Sequence, residues 1–182
     1  MPQRALEVRD AVAADRARRD LAASLRLRAA SPADVPALEA LVNAAYHDSE
    51  RHVFPGTRRT ERDQLLQQLD GVTVAEIGAR IVACINVNAS RDPAHFAMLA
   101  VDPTLHRSGI GSRLIDHAER IAKVAGCRRM QIETVKEAGL VPYYQRRGFR
   151  VSGETPGQVW NNGADWGAAI DWHMVDMEKD LR

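Results

Sequence analysis

The stretch Val101-Asp102-Pro103-Thr104-Leu105-His106-Arg107-Ser108-Gly109-Ile110-Gly111-Ser112 joins two segments of different periodicity. Before it, Phe96 to Val101 is an apolar run that reads as a buried strand. After it, Ile110 to Ala125 repeats its apolar residues at helical spacing. A strand, a short glycine-bearing loop and a helix start make an anion site. The first amides of a helix have no partner within it, and the helix dipole adds partial positive charge there. Gly109 and Gly111 let the backbone approach a phosphate with no Cβ in the way. Charge-assisted hydrogen bonds are worth roughly 1.5–3 kcal/mol each, so a few such amides hold a pyrophosphate with little side-chain help. The stretch predicts a protein that binds a phosphate-bearing ligand.

Upstream of the loop, Ala94 to Val101 is a fourth strand, preceded by a turn at Arg91-Asp92-Pro93. Val72 to Ile77 and Arg80 to Asn88 flank Gly78-Ala79 and predict a hairpin. Leu25-Arg26-Leu27-Arg28 alternates as a first strand. Ser31-Pro32-Ala33-Asp34 starts a helix with a capping serine, a proline and an acid, and Leu38, Leu41, Val42 and Ala45 form its apolar stripe. Tyr46 to Thr60, with Pro55-Gly56, predicts a loop. Thr60-Glu61-Arg62-Asp63 caps a second helix with Leu65, Leu66 and Leu69 as its apolar face. Downstream, the helix that follows the glycine loop ends at Gly126. Arg129 to Val135 is a strand, Val141 to Arg147 a short helix stopped by Gly148, and Phe149 to Ser152 opens a sixth strand. Gly153 to Ala169 predicts a long loop and Ile170 to Met177 a last strand. The order β-α-α-β-β-β-α-β-α-β-β predicts an α/β fold. Its central sheet is mixed and mostly antiparallel, with helices on both faces and a parallel pair flanking the glycine-loop helix.

The chain has 182 residues, enough for one domain with a real core. We expect that domain over residues 25–182, with residues 1–24 as an N-terminal extension, helical or loosely ordered. Lys+Arg is 25 and Asp+Glu is 24, so bulk charge does not support nucleic-acid binding. Cys84 and Cys127 stand in unrelated contexts and give neither a disulfide framework nor a metal site. No signal peptide and no bilayer-spanning apolar run is visible, so a soluble protein of the reducing cytoplasm, bound to no membrane, is expected.

Three segments resemble the GNAT superfamily of N-acetyltransferases, over about Leu25 to Leu181. His106-Arg107-Ser108-Gly109-Ile110-Gly111 is similar to the family's Gln/Arg-x-x-Gly-x-Gly/Ala loop, and Leu99-Ala100-Val101-Asp102-Pro103 precedes it as in the family. Pro142-Tyr143-Tyr144-Gln145-Arg146-Arg147-Gly148-Phe149 resembles the aromatic-Tyr-x-x-x-Gly-Phe segment, and Met174 to Leu181 the closing strand. The chain departs from the pattern at His106, where the family has Gln or Arg. It departs again at Glu137, where many relatives carry an asparagine that contacts the cofactor arm.

The resemblance implies a splayed parallel strand pair and acetyl-CoA as cosubstrate. It implies that Arg107, Ser108, Gly109, Ile110, Gly111 and Ser112, with His106, hold the diphosphate. Met98, Leu99, Ala100 and Val101 would then meet the pantetheine arm through main-chain groups, with the Leu99 amide as oxyanion donor. Tyr144 matches the family's acid: a phenol is protonated at neutral pH and can give its proton to the departing thiolate. For the base, Glu133 is the first candidate, with His95 and His173 as alternatives. The acceptor is expected from the side of His47, Asp48, Glu50, Arg51 and His52, and of Trp160, Asn161, Asn162, Asp165 and Trp166. Carboxylates beside tryptophans suit a cationic amine. An amino acid, a polyamine, a drug or a protein N-terminus or lysine all remain open as acceptor. Relatives are often dimers, so a homodimer is one expectation. The rival readings are a non-catalytic acyl-CoA sensor, which has no need of Tyr144, and a generic nucleotide binder. The second lacks both a Gly-Lys-Ser/Thr and a Gly-x-Gly-x-x-Gly loop.

Overall fold

A computed structural model describes Leu21 and residues 24–182. The expected extension over residues 1–24 lies almost wholly outside the described residues. The sheet has seven strands in the order β1-β2-β3-β4-β5-β7-β6. They are β1 (Arg26–Ala29), β2 (Val72–Ile77), β3 (Arg80–Asn88), β4 (Ala94–Val101), β5 (Arg129–Val135), β6 (Arg150–Pro156) and β7 (His173–Asp180). All neighbours are antiparallel except β4 and β5. The helices are α1 (Val35–Glu50), α2 (Arg62–Gln67), α3 (Ile110–Val124), α4 (Val141–Arg146) and α5 (Gly157–Trp160).

The two faces of the sheet carry separate cores. Leu38, Leu41 and Val42 of α1 and Leu65 of α2 pack on Val72, Val74, Cys84 and Ala100. On the other face Leu114, Ile115, Ala118 and Ala122 of α3, with Tyr144 and Phe149, pack on Ala83, Ile85, Phe96, Met130 and Ile132. Helices on both faces of a mixed sheet are thus the observed architecture. A third cluster of Val53, Phe54, Val135, Trp172 and Met174 closes one end. Arg28 ties β1 to the start of α1 and to β2: its Nη1 donates to Asp34 Oδ2 at 2.7 Å and its Nη2 to Glu76 Oε1 at 2.6 Å. The guanidinium holds the Asp34 carboxyl well below the usual carboxylate range.

Three expected boundaries move. Tyr46 to Glu50 continues α1 rather than opening a loop, because nothing breaks the helix there and Ala45 and Glu50 are buried on its inner side. Leu66 faces solvent at 46% exposure, so α2 buries Leu65 alone of its leucines, and Leu69 packs beside it from just beyond the helix. Gly153 to Ala169 is not one loop: β6 runs to Pro156 and α5 follows. The last strand starts at His173, since Ile170 is exposed, and it pairs with β5 from Met174 to Asp180.

Candidate active site

The glycine loop leaves β4 through Pro103–Leu105, where Asp102 Oδ1 accepts from the Thr104 amide at 2.9 Å. Arg107 and Gly109 then take the left-handed conformation, at φ 61° and 88°. Gly109 caps α3, and a Cβ there would meet nothing within 4 Å. Glycine is therefore set at this position by backbone conformation, with open space beyond it. At Gly111 the reason is contact: a Cβ would stand 3.2 Å from the Tyr143 hydroxyl. Among the described residues the amides of Gly109, Ile110, Gly111 and Ser112 find no acceptor, since the first bond of α3 runs from the Arg113 amide to Gly109 O at 3.1 Å. The buried Ser108 hydroxyl likewise has no partner among the described residues. Arg147 braces this turn from α4 through an ion pair with Asp116 and a hydrogen bond to Ser112 O at 3.4 Å.

Beside the loop the sheet opens. β4 and β5 are in register only at Ala94↔Met130 and His95↔Gln131. From Phe96 onward the two strands part. A bulge in β4 adds to this: Asn86 faces Ala97 and Cys84 faces Ala100, while Met98 turns to φ 52°. Main-chain groups of β4 are thus left without a ladder on the β5 side.

Loop and gap open into one cavity of about 670 Å³. Its wall includes every expected loop residue from His106 to Ser112, together with Leu99, Val101, His95, Glu133 and Tyr144. Ala100 is the exception: it is buried at 1% exposure against α1 and does not reach the cavity. His106 Nδ1 lies 3.5 Å from Asp48 at the rim. Glu137 turns away from the cavity, accepting from the His173 amide at 2.9 Å and lying 3.0 Å from its Nδ1. His173 is held in that contact and lies outside the cavity wall. Tyr144 is 7% exposed, set edge-on to Tyr143 and Phe149. Burial pushes its phenol far up, and Tyr46, Tyr143 and Glu50 add to the shift.

The acceptor side differs from the sequence expectation. Of the Tyr46–Thr60 segment, Tyr46, Ser49, Glu50 and Arg59 reach the cavity, whereas His47, Asp48, Arg51 and His52 do not. Positions 46, 49 and 50 share one helical face, which a loop reading hides. Of the second segment only Trp160 lines the cavity. Trp166 stacks on Trp172, centroids 5.7 Å apart, and supports the wall from behind. Arg146 and Met174 line it too and were not foreseen. Burial raises the Glu50 carboxyl above its usual range against the pull of Arg59 and His52. Among the described residues no group of His, Cys, Asp and Glu could hold a metal ion, and no helix is long and apolar enough to cross a membrane.

This fold and this loop define a class. Residues 37–149 match the acetyltransferase (GNAT) family, and the chain belongs to that family. Among curated relatives, YdhI of Bacillus subtilis is 27% identical over 93 residues, 50% of this chain and 57% of that protein. The amino-acid acetyltransferase of Pasteurella multocida is 26% identical over 128 residues, 69% of this chain. The chain spans 57% and 27% of the lengths of these two relatives. The N-acetylglutamate synthase of Neisseria gonorrhoeae, solved with coenzyme A and N-acetyl-glutamate, superposes with a TM-score of 0.67 at 20% identity, over 87% of this chain and 35% of that one.

Proposed function

We propose that this protein transfers an acetyl group from acetyl-CoA to the primary amine of a small molecule or amino-acid-like substrate. One observation carries the reading: unpartnered amides at the start of α3, the gap between β4 and β5, and the Tyr144 phenol converge on a single cavity. The residues suit an acyl-CoA. Free amides and the orphaned Ser108 hydroxyl match a diphosphate, and the open space beyond Gly109 leaves room for it. Acetyl-CoA supplies an acetyl group activated as a thioester.

In this reading Gly109 to Ser112 hold the diphosphate by backbone, and Arg107 and Arg146 add positive charge at the rim. The freed main chain of β4 lies along the pantetheine arm, and the Leu99 amide polarises the thioester carbonyl. Tyr144 gives its proton to the leaving sulfur. Burial keeps the phenol protonated, and the same dry surroundings make a bare thiolate costly, so the transfer relieves charge where it is least tolerated. Removing a proton from an alkyl ammonium at pH 7 costs roughly 4–5 kcal/mol, which calls for a base. Glu133 on β5 lines the cavity and is assigned that role. Glu50 is the second reading, because it is a carboxylate in the same cavity that burial raises above its usual range.

The test is thiol release from acetyl-CoA over an amine panel, beside calorimetric CoA binding. Turnover of at least one amine is expected. Tight CoA binding with no turnover on any amine would replace the enzyme by an acyl-CoA sensor.

A further inference from the structure

We propose that the acceptor end of the cavity takes an α-amino acid with an apolar side chain, its ammonium held by Glu50 and its carboxylate by Arg59. This rests on the acetyltransferase reading above and names the substrate class for the same site.

Glu50 sits in the last turn of α1 at 8% exposure, facing the cavity. Among the described residues its carboxylate has neither a hydrogen-bond nor an ion-pair partner; the contacts of Glu50 are its own carbonyl with the Val53 and Phe54 amides. A carboxylate that opens only into the cavity and has no protein partner there suits a cationic ligand. Arg59 faces the same cavity. Its neighbours Arg58 and Arg62 both pair with Glu39, at 2.9 and 3.7 Å, on the outside. Arg59 instead lies over the Tyr46 ring at 4.7 Å, with Trp166 at 5.9 Å, and no carboxylate of the described residues pairs with it. Part of the guanidinium serves the Tyr46 hydroxyl, and its remaining N–H groups can meet a planar anion.

Glu50 and Arg59 sense one another electrostatically but do not form an ion pair. An acid and a base that face one cavity without neutralising each other are the complement of a zwitterion. The arrangement is also built in advance. Asn43 Oδ1 accepts from the Arg59 and Thr60 amides at 2.7 and 3.2 Å, and Asn43 Nδ2 donates to Thr60 O at 3.0 Å. These bonds lock the Arg59 backbone onto α1. Tyr46, Glu50 and Tyr144 all line this cavity, so the ammonium site opens into the same space as the acid. The remaining wall here is apolar, Trp160 and Met174, backed by Trp166 and Trp172. A polyamine would bring a second cation against Arg59. A peptide N-terminus lacks a carboxylate beside its amine.

The experiment compares matched acceptors on the full chain: L-phenylalanine, L-leucine and L-methionine, their decarboxylated amines, and their α-amides. The amino acids should exceed the amines and amides in kcat/KM by roughly 10- to 100-fold, the range of one charge-assisted pair. R59Q should abolish this preference by raising KM for the amino acids while leaving the amines nearly unchanged. E50Q should weaken both, and circular dichroism checks that each variant folds. Amines or amides acetylated as well as the acids would overturn the proposal, as would R59Q lowering all acceptors alike. If no acceptor turns over, calorimetry with L-phenylalanine in the presence of CoA decides separately. Binding lost in R59Q keeps the amino-acid site and removes the acetyltransferase reading; no binding removes the site.

Discussion

The two ends of the cavity are made of different material. At the start of α3 the groups we assign to the cofactor are backbone amides, set by two left-handed residues and by the geometry of a helix terminus. At the acceptor end they are side chains, brought together from α1, the segment that follows it, β5, α4 and α5. A site made of main chain needs only the right local conformation. A site made of side chains needs several distant segments to fold in register. The first is therefore expected to keep its ligand, differently tuned, with His106 in place of Gln or Arg. The second changes chemistry with each residue.

The sharpest way to break this contrast is at Gly109. G109W fills the space over the amides and strains a backbone at φ 88°. We expect at least about a 100-fold loss of CoA affinity by calorimetry, since several charge-assisted hydrogen bonds are blocked together. Retained affinity would mean that side chains, not amides, do the holding. Next in size is Y144F, which should cut kcat by about 100-fold with CoA affinity unchanged, as expected for a lost acid. An unchanged rate would leave Tyr144 as packing alone.

Smaller effects separate the two carboxylates. A base works only when ionised, so the rate must fall as pH drops through its pKa. Because burial raises the Glu50 carboxyl, its limb would lie above the usual carboxylate range. We expect E133Q to lower kcat by roughly tenfold or more. A profile that keeps its limb in E133Q but loses it in E50Q would move the base to α1. The smallest effect belongs to H106Q. His106 is exposed at the rim near Asp48, so CoA affinity should shift by less than about threefold, the scale of an exposed polar contact. A larger change would show that the rim side chain shapes the loop.

The strand and helix segments of the cores were largely legible in the chain. The hairpin about Gly78-Ala79, β4, β5 and α3 lie where alternation, helical spacing and glycine stops put them. The glycine turn into α3 was legible too, because Gly109 and the helix start rest on conformation confined to a few neighbouring residues. The misreadings fall where proline, glycine and asparagine were taken to make a whole segment loop. Tyr46 to Glu50 looks irregular in sequence, yet it continues a helix that turns Tyr46, Ser49 and Glu50 to the cavity and leaves His47 and Asp48 outside. His173 looked available as a base, and the structure spends it on Glu137.

What the sequence determined by itself was the succession of elements and the place where a helix begins with bare amides, since both follow from local sterics and periodicity. The tertiary structure alone decided which charged residues share a cavity. Glu50, Arg59, Glu133 and Tyr144 meet because α1 and α4 lie on opposite faces of a sheet that parts between β4 and β5. No local rule couples residues so far apart in the chain. Only the packing of both cores fixes their distance.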